Sequence, residues 1–158
     1  MSSTFRLEAD PVTDAFLEDP LLVGPTVSVR QVLQLLQERR AGAVLVSDDT
    51  SGTPTLVGIF TERDALKRMA RGGPMDVPIA QVMIHPAVTI SRQATVGDAI
   101  RMMADGGFRR LPVVGTDGRP TGVVSVAGIL HYLVEHLPGV VYNLPPTPHH
   151  RTQEKEGA

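Results

Sequence analysis

The sequence predicts an α+β fold of two tandem β-α-β-β-α repeats packed about a pseudo-twofold axis. Three observations carry that expectation. The first is a constant offset: Val29 and Val96, Leu36 and Met103, and Val44 and Leu111 are each 67 positions apart. The second is a single change of that offset, to 64 between Thr61 and Ser125, where the second polar turn is shorter. An offset that holds through helix and strand and changes only inside a turn marks an internal duplication. The third is size. Neither copy is long enough to cover its own apolar faces, so the two must cover each other.

The elements follow in order. Residues 11–17 offer a short helical piece closed by Asp19-Pro20, and Leu21-Leu22-Val23 is extended up to the Gly24-Pro25 turn. Ser28 caps a helix and Gln31 completes a capping box. Val29, Val32, Leu33 and Leu36 then fall at i, i+3, i+4 and i+7, which is one buried face. Arg39 and Arg40 put positive charge in its last turn, with Gly42 following. Ala43-Val44-Leu45-Val46 is a buried strand, and residues 48–54 form a polar turn. The run from Thr55 to Phe60 is a second strand, and a helix carrying Ala65, Leu66, Met69 and Ala70 ends at Gly72-Gly73-Pro74. The second copy repeats the order. Residues 77–83 match the first helical piece, His85-Pro86 matches Asp19-Pro20, and Val88-Thr89-Ile90 is extended. Thr95 caps a helix with Val96, Ala99, Ile100 and Met103 on one face, ended by Gly106-Gly107. Leu111 to Val114 is a strand, Thr116-Asp117-Gly118-Arg119 a hairpin turn, and Gly122 to Ser125 a strand before a last helix reaching about Leu137. The chain thus divides into an N-terminal segment (1–11), repeats at 12–74 and 75–137, and a Pro-rich tail (138–158) expected to be flexible.

Composition narrows the function. With no Cys among 158 residues, disulfides and Cys-bound metal are excluded, which fits a reducing compartment. A net charge of −2 gives no overall pull toward nucleic acid or acidic lipid. Residues 1–10 hold Arg6, Glu8 and Asp10 and no apolar core of a signal peptide. No apolar run approaches the roughly 18 residues of a membrane span, so a cytoplasmic protein off the membrane is expected. The His residues at 85, 131, 136, 149 and 150 make no metal-ligand frame, and neither a P-loop nor a nucleophile elbow is present. No metal and no enzymatic activity are expected.

The stretch that carries chemistry is Gly58-Ile59-Phe60-Thr61-Glu62-Arg63-Asp64. Thr61 stands where strand becomes helix, and Asp64 lies in the same first turn, so the pair forms a cap. A helix start also favours anions through its free N–H groups and dipole. A carboxylate for ribose hydroxyls beside a region for phosphate is what a nucleotide needs.

Here the sequence resembles a pair of CBS domains, the Bateman module. The resemblance rests on Gly58-x-x-Thr61-x-x-Asp64, on Leu111-Pro112-Val113-Val114 with the Asp117-Gly118 turn, and on the Thr95-Val96-x-Asp98-Ala99 helix start. It covers residues 12–137 and implies an adenosine nucleotide (AMP, ADP or ATP) bound as a regulatory ligand between the repeats. By the resemblance, Asp64 holds ribose, and the basic pair Arg109-Arg110 before the partner repeat's strand holds phosphate. Gly42, Ala43 and Val44 would lie against adenine, Thr26 and Val27 would meet its edge, and His131 matches a position that turns a basic group toward phosphate. Thr61 completes the set as the cap.

The copies differ where this matters. Gly58, Thr61 and Asp64 align with Gly122, Ser125 and Gly128, so the second copy loses the carboxylate. Arg109-Arg110 align with Gly42-Ala43, so the first copy lacks the basic pair. One complete site is therefore expected, not two. The function expected is a regulatory nucleotide-sensing module, a homodimer by resemblance, signalling to a protein partner. A ligand-free association module is the first alternative. A nucleic-acid-binding protein is the second and weaker one, because no aromatics interleave the basic dipeptides.

Overall fold

The computed structural model describes residues 6–137. The Pro-rich tail, with His149 and His150, lies outside the described residues. Each repeat builds one three-stranded sheet and two helices. In the first, β1 (Leu22–Val23) runs parallel to β2 (Ala43–Asp48), which runs antiparallel to β3 (Thr55–Thr61). The helices are α1 (Val29–Arg39) and α2 (Glu62–Arg71). In the second, β4 (Ile90–Ser91), β5 (Arg110–Val114) and β6 (Pro120–Ser125) repeat that sheet, with α3 (Val96–Gly106) and α4 (Val126–Glu135). The duplication extends to register. Val23 pairs with Val46 and Ile90 with Val113, while Val44 faces Phe60 and Leu111 faces Val124.

The helix starts form for the local reasons read in the sequence. Ser28, Thr61 and Thr95 each accept from the backbone N–H three residues on, and Gln31, Asp64 and Asp98 reciprocate as full capping boxes. Ser125 caps α4 through Gly128 N–H, without a reciprocal side chain. Gly72 and Gly107 end α2 and α3 in the left-handed conformation that glycine adopts freely. At the end of α1 that conformation falls on Arg40 (φ 49°), two residues before Gly42. Gly42 is not a cap, and its lack of a side chain serves another purpose.

Each sheet packs its helices over a separate core. Val29, Val32, Val44, Val46 and Phe60 form one; Val96, Ala99, Leu111, Val113, Val124 and Tyr132 form the other. The connecting segments exchange. The 3-10 turn Val12–Asp14 buries Val12 and Ala15 in the core of the second repeat, whereas Ile79 of the turn Ile79–Gln81 enters the core of the first. Backbone bonds fix the exchange, with Glu18 and Val123 donating to each other at 2.8 and 2.9 Å and Ile59 and Ile84 doing the same at 3.1 and 2.8 Å. Between the repeats, Ala43, Leu45 and Ile59 of the first sheet meet Val123 of the second. Burying Leu45 completely there makes the pairing costly to undo, about 2–5 kcal/mol for Leu→Ala in such a setting.

Candidate functional site

A cleft of about 360 Å³ opens where the two repeats meet. Glu18, Asp19, Pro20 and Leu21 of the incoming segment line it, with Arg39 to Ala43 from the end of α1 and start of β2, and Arg110 and Val123 from the second sheet. Its volume falls at the small end of the roughly 300–1,000 Å³ typical of small-molecule sites.

Three predicted residues meet here: Gly42, Ala43 and Arg110. Arg110 opens β5 opposite Ser125, and Gly42 directly precedes β2, where Ala43 pairs with Thr61. Arg110 reaches across the repeats. Its Nε stands 3.4 Å from Glu18 Oε1 and its Nη1 3.8 Å from Glu62 Oε1, in the first turn of α2. A Cβ built on Gly42 would overlap the guanidinium carbon, so the bare backbone of Gly42 is what Arg110 lies on. The peptide chemistry continues to α2, because Glu62 N–H donates to Gly42 O at 2.9 Å.

Asp64 lies in the same first turn of α2, two residues past Glu62. Its Oδ2 accepts from Thr61 N–H (2.8 Å) and from the Thr61 hydroxyl (2.9 Å). Its carboxylate borders a second hollow, of about 250 Å³, lined also by Phe60, Lys67, Arg68, Arg71, Gly73, Gln81 and Val82. Arg68 Nε donates to Pro74 O at 2.9 Å, which fixes one of the three cations around it.

The remaining predicted residues are more scattered. Arg109 is exposed, and its carbonyl accepts from Val126 N–H at 3.0 Å, tying β5 to the start of α4. The Val44 side chain is wholly buried in the first core and presents no side-chain surface to the cleft. Thr26 and Val27 precede α1 and line neither hollow; Val27 O accepts from Ile79 N–H at 2.7 Å. His131 stacks on the Phe16 ring, with centroids 3.7 Å apart and planes 11° from parallel.

The place equivalent to Asp64 is filled by the chain itself. A Cβ at Gly128 would collide with Ala15 O and come within 3.0 Å of Phe16 O. The loss of the second carboxylate therefore has a steric cause as well as a chemical consequence. Sequence reasoning missed Glu18 and Asp19 at the inter-repeat cleft and Glu62 beside Arg110. Glu62 was legible only as a first-turn acid, and Glu18 becomes a neighbour of Arg110 only through the segment exchange. Among the described residues, no group of three His, Asp or Glu could hold a metal, and no helix is long and apolar enough to cross a membrane.

The CBS-domain family matches the chain twice, over residues 12–71 and 79–135, and the chain belongs to that family. An uncharacterized protein of Methanopyrus kandleri is 30% identical over 121 residues, which cover 73% of this chain and 60% of that longer protein. The crystal structure of a CBS-domain-containing protein from Agrobacterium tumefaciens superposes with a TM-score of 0.68 at 30% identity, covering 80% of this chain and 96% of that one. The crystal structure of CBSX2 in complex with AMP superposes with a TM-score of 0.66 at 26% identity, covering 80% and 98%.

Proposed function

We propose that the chain is a regulatory module that takes an adenosine nucleotide (AMP, ADP or ATP) into the region between its repeats and passes its occupancy to a partner. The observation that carries this reading is that Arg110 lies on Gly42 at the inter-repeat cleft and reaches Glu62 in the first turn of α2, whose Asp64 borders the neighbouring hollow. In that turn Asp64 has spent only Oδ2 on the cap, and Oδ1 has no hydrogen-bond partner among the described residues. In this reading Oδ1 accepts from the ribose hydroxyls, Arg110 meets phosphate, and Arg109 adds charge from the rim. The resemblance would also put Gly42, Ala43 and the backbone at Val44, with Thr26 and Val27, against the base and His131 toward the phosphates. For Thr26, Val27 and His131, which line neither hollow, that requires a shift on binding. The AMP complex of CBSX2, a relative of the same fold, supports an adenosine ligand. A population shift between repeat packings would carry the signal.

The same reading makes the protein a homodimer. Its support is an exposed apolar surface on α2 (Leu66, Met69) and α4 (Leu130, Val134). That surface also favours the association-module alternative, in which the cleft stays empty. A thermal-shift panel of AMP, ADP, ATP, S-adenosylmethionine and NADH on dialysed protein separates the two. A concentration-dependent rise in melting temperature with one adenosine compound is expected, and no shift with any of them supports the alternative.

A further inference from the structure

Arg110 carries charge from the second repeat to the first. It begins β5, yet its guanidinium lies on Gly42 and between Glu18 and Glu62. Its side chain is 24% exposed, against 40% for Glu18 and 64% for Glu62. Glu62 comes from the first repeat, its backbone held by the bond to Gly42 O, whereas Glu18 is paired with Val123 on β6, the strand beside Arg110's own. Neither contact is bidentate, and at 3.4 and 3.8 Å both are longer than a strong charge-assisted bond. An anion that makes short bonds to the same guanidinium can displace them.

We propose that Glu62 and Glu18 form a latch: Glu62 ties Arg110 to the first repeat while Glu18 steadies it from its own sheet, and an incoming phosphate opens the latch by taking the guanidinium from them. The latch rests on the nucleotide reading of the cleft. It adds that two carboxylates set how tightly, and with what charge, a ligand binds. An anionic ligand must break both contacts and then sit beside two freed negative charges. An uncharged nucleoside meets neither penalty. Opening also removes a tie between the repeats, which couples binding to their relative packing.

The double substitution Glu18→Gln with Glu62→Gln tests this, on exposed side chains whose loss leaves both backbones anchored. AMP and adenosine are titrated calorimetrically into wild type and variant. The chain has no Cys, so spin labels at Glu38→Cys and Asp105→Cys, on α1 and α3, report the distance between repeats. The latch predicts AMP binding about three- to tenfold tighter in the variant, adenosine unchanged, and empty-variant label distances like those of AMP-bound wild type. Equal or weaker AMP binding in the variant, or label distances in the empty variant that match empty wild type, overturns the latch while leaving the nucleotide site standing. If wild type binds neither AMP nor adenosine, the nucleotide reading itself fails, and opening by phosphate fails with it.

Discussion

The Arg110 guanidinium lies on the bare backbone of Gly42, so close that a Cβ there would stand 2.6 Å from Nη1 and overlap the carbon behind it. Gly42 and Arg109, and likewise Ala43 and Arg110, are equivalent positions of the two repeats, 67 residues apart. A long side chain from one repeat thus fills the space left by a missing one in the other. The difference between the copies is a packing device and, in the proposed function, the means by which one cleft gathers the positive charge.

Because Arg110 lines the cleft and Arg109 is exposed, the pair should act unequally. Arg110→Ala is expected to weaken AMP by about tenfold or more, the loss of a hydrogen bond to a charged group. Arg109→Ala should weaken it by about threefold or less, as an exposed charge does. Adenosine should bind both variants as it binds wild type. Calorimetry showing equal losses for AMP and adenosine would remove phosphate from the role of Arg110.

Restoring the missing carboxylate should not create a second site. At Gly128 any side chain meets the backbone carbonyls of Ala15 and Phe16, which cannot swing aside as a flexible side chain can. Gly128→Ala is expected to destabilise the fold by about 1–3 kcal/mol, the usual range for overpacking. Gly128→Asp should cost at least as much, with AMP stoichiometry still one per chain. Urea midpoints and calorimetric stoichiometry check both; a second AMP in Gly128→Asp contradicts the sealed-cleft account.

Tyr132 gives the fold a dependence on alkaline pH. It is buried, and its hydroxyl donates to the Asp10 carboxylate. Burial foremost, then that hydrogen bond and the Asp10 charge, push the phenol up to about 12. The unfolded chain releases this proton near the ordinary value of about 10. The stabilisation is therefore complete below pH about 10 and is lost as pH rises toward about 12, where the unfolded chain binds fewer protons. Denaturant midpoints measured across that window should fall with pH. Tyr132→Phe should cost about 1–2 kcal/mol at neutral pH and flatten the slope; an unchanged slope contradicts the assignment.

The apolar surface of α2 and α4 should be an association face. Leu66 is 65% and Leu130 56% exposed, far from the burial that large apolar side chains favour. Light scattering should find wild type dimeric, and Leu66→Glu with Leu130→Glu monomeric with a small change in melting temperature. A wild-type monomer at tens of micromolar ends the homodimer reading.

Much of the fold was legible because its signals are local. Thr61 and Asp64, three residues apart, make the capping box that their spacing implies, and the 67-residue offset reappears as matched strand register. What was not legible depends on which segment lands where. Nothing in the residues around Val12 says that it enters the second repeat's core instead of the first, since both cores are Val-rich. That exchange brings Glu18 to Arg110 and Ala15 to Gly128. Gly42 followed the helix as a terminator does, yet Arg40 took the left-handed position and Gly42 became the floor under Arg110. The site residues Asp64 and Arg110 were named from chemistry and likeness, whereas their carboxylate neighbours needed the fold.

The central claim is that the Asp64 carboxylate accepts from a ribose, and one set of titrations tests it most directly. AMP and 2′-deoxy-AMP are titrated calorimetrically into wild type and Asp64→Ala, with melting temperatures of the empty proteins recorded alongside. Asp64 Oδ2 already serves Thr61, so its loss removes a cap worth about 0.3–1 kcal/mol of stability. Its proposed bonds to ribose are worth more, about 1.5–3 kcal/mol, or roughly 10- to 150-fold in affinity. The account predicts that AMP loses that affinity on Asp64→Ala, that the deoxy form binds wild type more weakly than AMP, and that it loses little further on the variant. Equal binding of the ribo and deoxy forms by wild type, with only the small stability loss in Asp64→Ala, would contradict it and leave Asp64 as a helix cap.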